Sequence, residues 1–154
     1  MKHQLNEHNK QENPPMHTAE HILNQTMVRM FGCGRSHNTH IERKKSKADY
    51  ILSEALSDEQ VKAIEDAVNE VIGRDLTVTE AFMPISEAKE IVDLSKLPEN
   101  VSSILRIVRV GDFDVCACIG AHVAKTSEIG RFEIISHNFC DSKWRVRFKL
   151  KNEI

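Results

Sequence analysis

The chain has 154 residues, 40% of them hydrophobic and 29% charged, which fits a soluble globular protein long enough to bury a core. A formal net charge of −2 gives no overall basic field of the kind that draws a chain to DNA, so any contact with a polyanion must come from a local patch. The opening "MKHQLNEHNKQENPP" lacks the apolar centre of a signal peptide, and no apolar run has the length of a membrane span, so the expected address is the cytosol.

Residues 1–13 read as a flexible polar tail and residues 14–154 as one domain. Pro14-Pro15 suits a helix entry, because the missing N–H costs nothing in a first turn. The pattern predicts a helix over about 15–31, with Ala19, Ile22, Leu23, Met27 and Met30 as its apolar stripe and Gly32 and Gly34 as its stop. His17 and His21 fall roughly 160–180° from that stripe at about 100° per residue, together with Asn24, Gln25 and Val28. They are therefore expected off the core face, where they could line a cleft. "ADYILSE" reads as a strand.

A second helix is predicted over 57–75, with Ser57 and Gln60 as a capping box, Val61, Ile64, Val68, Val71 and Ile72 as its apolar face, and Gly73 near its end. "LTVTEAFM" reads as a strand, and a short helix is expected near Ser86. "ILRIVRVGDFDVCAC" reads as two strands around a turn at Gly111-Asp112. "RFEIISH" and "WRVRFKL" alternate, and the turn residues of "NFCDSK" make them a hairpin. Trp144, Val146, Phe148 and Leu150 would face one way and Arg145, Arg147 and Lys149 the other. The expected class is α+β, an antiparallel sheet with helices packed on one face.

His17 and His21 stand one helical turn apart, a spacing that lets two imidazoles hold one metal ion. Cys118 and His122, spaced C-x-x-x-H near Gly120, offer a thiolate and a third imidazole, so the candidate set is His₃Cys, a donor set suited to zinc. Each half has a bland alternative: helical histidines are often structural, and so is a lone Cys-x-x-x-His. Cys116 is either a buried thiol or a spare soft ligand. Read literally, "HTAEH" is also H-x-x-E-H, the signature of one class of zinc peptidase.

"HTAEHILNQTMVRMFG" followed by "CIGAHVAKTSEIGRFEI" resembles the editing domain shared by alanyl- and threonyl-tRNA synthetases, in particular AlaX, its free-standing relatives, over roughly residues 16–150. Thr126, Glu128, Ile129 and Gly130 match that family's T-x-E-I-G-like segment. The resemblance implies one zinc per chain, held by His17, His21, Cys118 and His122. It also argues against the peptidase, because the position of Glu20 varies in the family and inverzincin domains are considerably larger.

What the resemblance implies about function is hydrolysis of the ester joining a wrong amino acid to tRNA, most simply serine or glycine on tRNA-Ala. The partner is then the acceptor end of a mischarged tRNA. The zinc would activate water or anchor the substrate; four chain ligands would close a tetrahedral site, so one is labile, the ion expands to five-coordinate or the zinc mainly organises the pocket, and substrate positioning is the favoured role. Ser36 and Thr39 are candidate pocket hydroxyls and His40 a candidate wall, with a plain polar edge strand as the alternative for each. Two basic patches could meet RNA: "ERKKSK", with Arg43, Lys44, Lys45 and Lys47, and the outward face with Arg145, Arg147 and Lys149. A solvated sheet face is the alternative for both. One departure from the family is Ile119-Gly120-Ala121, where alanyl-type members usually carry Gly-Thr before the last ligand. Two further readings stay open: a non-catalytic zinc-stabilised tRNA-binding module, and a metal-dependent hydrolase of another small ester or amide.

Overall fold

The structure, a computed structural model, describes residues 13–36, 38–41, 45–91, 104–118 and 120–151. The expected tail, save Asn13, lies outside the described residues, as do Arg43, Lys44 and Ile119. Helix α1 spans Pro14–Phe31, and the Asn13 side chain caps it by accepting from the Met16 amide. Gly32 closes it in the left-handed conformation at φ 68°. Strands β1 (Asn38–His40) and β2 (Ser46–Ile51) follow, then helix α2 (Asp58–Gly73) with the predicted Ser57–Gln60 capping box. Next come β3 (Val78–Pro84), a one-turn helix α3 (Ile85–Ala88), β4 (Ile104–Val110) and β5 (Asp114–Ala117). A 3₁₀ turn (Thr126–Ile129) leads into β6 (Arg131–Cys140) and β7 (Lys143–Lys151).

The class is α+β as expected, but the strands divide between two antiparallel sheets, β1-β2-β7-β6 and β3-β4-β5. The larger sheet carries the main core. Ala48, Tyr50, Phe132, Trp144, Val146 and Phe148 line its inner face, against Ala19, Ile22, Leu23 and Met27 of α1 and Val61, Ile64 and Val68 of α2. The smaller sheet has its own cluster, in which Leu105 and Ile107 pack on Ala88 of α3. Met30, expected in the apolar stripe of α1, is 42% exposed, and it is the next residue, Phe31, that packs against the core.

The β6–β7 hairpin turns on Asp141 and Ser142, both at positive φ, the conformation that matches strand twist in a two-residue turn. Its register shifts between Ile134 and Ser136. This bulge reverses the alternation of β6. Ile134 sits opposite Phe148 on the inner face, while Ser136 sits opposite Arg147 on the outer one. Ile135, the extra residue, is exposed. The clean alternation read from "RFEIISH" therefore ends at Ile134. At the other end of the strand, α2 is tied to β6 by one amide: Asn69 accepts from the Phe132 N–H at 2.8 Å and donates to its carbonyl at 2.9 Å. Asn69→Ala leaves both backbone groups of buried Phe132 without these partners and should lower stability by about 1–3 kcal/mol in urea unfolding. Ser57→Ala, which removes an exposed cap, should cost about 1 kcal/mol.

Candidate metal centre

Every residue from Met16 to Asn24 on α1 is buried, including the side expected to border a cleft. His17 is fully buried and His21 is 3% exposed. The apolar stripe meets the sheet and α2, and the histidine side is covered by β5 and the loop after it. The burial of polar side chains there demands partners, and the structure supplies them for His17, Thr18, His21 and Asn24.

β5 ends at Ala117, and the chain turns so that Cys118 and His122 come to α1. The donor atoms of His17, His21, Cys118 and His122 all lie within 4.8 Å of one another. Cys118 Sγ is 3.2 Å from His17 Nε2 and 3.5 Å from His122 Nε2. The His17 and His122 rings stack at 4.1 Å, and the His21 ring stands edge-on to both. Four ligands of one zinc ion, at bond lengths of about 2.0–2.3 Å, stand about 3.3–3.8 Å apart in a tetrahedron. The sulfur–nitrogen separations match that spacing, and soft thiolate with imidazole is zinc's preferred chemistry, so the residues fit the ion.

Outer partners fix which nitrogen of each ring faces the cluster. Ala121 O can only accept, so at 3.1 Å it takes the proton of His17 Nδ1, and Nε2 keeps its lone pair. Thr18 does the same for His122. Its hydroxyl donates to Pro14 O at 3.0 Å, and its oxygen receives the Val123 N–H at 3.2 Å. With its one proton spent, Thr18 Oγ1 accepts from His122 Nδ1 at 2.8 Å, leaving Nε2 as the ligand atom. For His21 the outer partners are Cys116 Sγ, 3.1 Å from Nδ1, and Asp114 Oδ2, at 3.6 Å. Asp114 is itself held by a two-bond contact with Arg35, at 2.7 and 3.1 Å, and by Gln25 at 3.1 Å. Arg106 braces the ligand loop by donating to the carbonyls of Cys118, at 3.1 Å, and Gly120, at 2.6 Å.

The electrostatics follow from these contacts. Burial raises the Asp114 carboxyl, but hydrogen bonds from His21 and Arg35 outweigh it and bring it down to about 2. Burial pulls His122 well below the usual imidazole range, and the neighbouring His21, His17 and Arg106 push it further. Burial lowers His21 too, yet the charges of Cys116 and Cys118 and the Asp114 hydrogen bond win, and it is raised well above its ordinary value. These neighbours thus favour the protonated form of the His21 ring.

A polar chain runs from the cluster toward β1. His17 Nε2 is 3.8 Å from Glu20 Oε1, and Glu20 Oε2 accepts from Asn24 Nδ2 at 3.5 Å. Asn24 Oδ1 accepts from Tyr50 OH at 2.6 Å and from the Ser36 amide at 3.1 Å. Ser36 and Thr39 share a hydrogen bond between their hydroxyls. Glu20, read from sequence as incidental, and Asn24, for which solvent exposure was an equal reading, are both 5% exposed. Ser36 and Thr39 therefore connect to α1, whereas His40 lies on the other face of the strand, in a cavity with Lys45, Ser46, Lys47 and Arg147. Arg145, grouped from sequence with the free cations, is spent on Asp49, at 2.8 and 3.0 Å. Thr18, Asp114, Tyr50 and Arg106 carried no sequence signal as site residues. Their roles arise from contacts across some 12 to 105 residues of chain.

Residues 105–147 match the sequence family described as the threonyl and alanyl tRNA synthetase second additional domain. An alanine–tRNA ligase of Treponema denticola is 32% identical over 117 residues, covering 75% of this chain and 20% of that protein. One from Bacillus subtilis is 33% identical over 129 residues, covering 79% of this chain and 14% of the ligase. One from Borreliella burgdorferi is 29% identical over 124 residues, covering 80% and 21% respectively. The chain spans about a fifth or less of the length of these relatives. The family match takes in β4, β5, the Cys118–His122 loop, β6 and the first half of β7, and together with the ligase likeness it relates this chain to the editing domain of alanyl- and threonyl-tRNA synthetases.

Proposed function

We propose that the chain is a zinc-dependent aminoacyl-tRNA deacylase of the free-standing AlaX type, which hydrolyses the ester of mischarged tRNA-Ala carrying serine or glycine. The observation that supports it is the meeting of His17, His21, Cys118 and His122, with donor atoms within 4.8 Å, in a chain related to that editing domain. Zinc held there would act as a Lewis acid toward the ester or its attacking water, or anchor the substrate's amino group or hydroxyl. Four ligands from the chain complete a tetrahedron with no open position, so either role requires one ligand to be labile or the ion to become five-coordinate. The Ser36 and Thr39 hydroxyls, joined through Asn24 and Glu20 to His17, are the groups that would read a small polar amino acid. A second sieve of this kind restores accuracy where a synthetase cannot reject a near-isostere by binding alone. Ala121 meets His17 through its carbonyl, which any residue supplies, so the missing threonine hydroxyl leaves that contact intact.

The closed ligand set also favours a second reading, a non-catalytic zinc-stabilised tRNA-binding module. Deacylation of Ser-, Gly- and Ala-tRNA-Ala, with and without chelator, separates the two. The enzyme reading expects chelator-sensitive loss of the seryl or glycyl ester with the alanyl ester spared. Zinc and tRNA binding with no ester cleavage would leave only the module. In the enzyme reading, Cys118→Ser and His21→Ala each remove stoichiometric zinc and abolish hydrolysis, as read by metal analysis and the same assay.

The outer partners make two finer predictions. Thr18→Val removes the acceptor for His122 Nδ1 and should weaken zinc binding by about 10–100-fold in chelator competition, while Thr18→Ser retains it. Zinc ligands bind deprotonated, and the neighbours of His21 favour its protonated form, so zinc binding displaces protons. Affinity should rise with pH, and calorimetry in buffers of different ionisation enthalpy should show net proton release.

A further inference from the structure

We propose that the cavity formed by His40, Lys45, Ser46, Lys47 and Arg147 is a binding subsite for the phosphodiester backbone of the RNA acceptor end. It rests on the tRNA reading above and replaces the two separate basic patches with one site. Strand pairing builds it. His40 stands opposite Lys47 across β1–β2, and Lys47 stands opposite Arg147 across β2–β7, so one row crosses three strands. That row lies on the face opposite Ala48, Tyr50, Val146 and Phe148, which are buried in the core. The cavity measures about 290 Å³ and adds Lys45 and Ser46 from the start of β2.

Charge accounting distinguishes this row from its neighbours. Arg145 is committed to Asp49, and Lys149 and Lys151 lie 3.8 and 3.5 Å from Glu133. Among the described residues, no carboxylate comes within 4.0 Å of Lys45, Lys47 or Arg147. Arg147 has one neutral contact, to Asn138 Oδ1 at 3.3 Å. Lys47 feels the Asp49 carboxylate only at longer range, so a chain of net charge −2 keeps three cations without a close carboxylate, among the described residues, around one concavity. A backbone phosphate of RNA answers that chemistry with one negative charge per group and oxygens for Lys and Arg donors. The position favours RNA over a free anion. Thr39 and His40 are consecutive on edge strand β1; the first joins the polar chain that reaches His17, the second enters the cavity. An RNA end seated in the cavity has only this strand to cross to bring its terminal ester to the metal side.

The test compares the wild type with Lys47→Gln/Arg147→Gln and, as a control, Lys149→Gln. The readouts are anisotropy with a tRNA-Ala acceptor minihelix across a potassium chloride series, and steady-state deacylation. Zinc content and thermal midpoint monitor the fold, since the replaced side chains lie on the outer face. The double variant should lose most of its affinity, and the slope of log K against log salt should fall by about two, one for each phosphate contact removed. KM for the charged minihelix should rise at least tenfold with kcat unchanged, and the control should match the wild type. An unchanged slope and KM in the double variant, with wild-type deacylation intact, would overturn the subsite and leave the deacylase standing. A wild type that neither binds nor deacylates the minihelix would sink both. Weakened binding of inorganic phosphate alone, with minihelix affinity unmoved, would also reject the RNA assignment.

Discussion

Helix α1 is buried on both sides, and the rest of the structure answers that constraint. Its apolar stripe meets the sheet core through Ala19, Ile22, Leu23 and Met27. Its polar side, from His17 and Thr18 to Asn24, has no access to water and must find its hydrogen bonds in protein. The Cys118–His122 loop closes over it and supplies Ala121 O, Val123 N and the His122 ring. The same contacts that satisfy the helix also set the ring nitrogens toward one point. Structural need and ligand geometry are here one set of bonds.

That double role explains what sequence could and could not show. Local signals were legible: the capping box at Ser57, the hairpin at Asp141-Ser142 and the H-x-x-x-H and C-x-x-x-H pairs all depend on neighbours within a few residues. The helical wheel found the histidines opposite the apolar stripe, but a wheel cannot tell a face covered by protein from one covered by water. Asn24 looks solvated by pattern and is buried, because Ser36 and Tyr50, 12 and 26 residues later, come to its side-chain oxygen. The division into two sheets was illegible for a similar reason, since alternation marks a strand without naming its partner.

Parity was a second limit. Thr39 and His40 looked like one polar cluster in sequence, yet consecutive strand residues face opposite sides, so the fold sends one toward α1 and the other to the basic cavity. The bulge at Ile135 works the same way within β6. It moves the inward set from Ile134 to His137 and Phe139, and it brings His137 Nδ1 to the Trp144 indole N–H at 3.1 Å. A single inserted residue sets which side chains reach the core, and no composition signal announces it.

Cys116 shows how the outer ring of contacts separates neighbours of similar chemistry. It is two residues from Cys118 on the same strand direction, and by donor type alone it competes for the cation. Its sulfur is nearer His21 Nδ1, at 3.1 Å, than Nε2, at 3.8 Å, and Nδ1 is also the nitrogen facing Asp114. The Cys116 thiol thus sits on the outer side of the ring, beside a carboxylate held low by Arg35. His21, Asp114 and Cys116 also bring donor atoms within 4.8 Å of one another, but the Asp114 carboxylate is already committed to Arg35 and Gln25, and a cation there would draw His21 away from His17 and His122. Holding His21 between Asp114 on one side and the cluster on the other favours the Cys118 set, and Cys116 becomes part of the clamp that aims the ring.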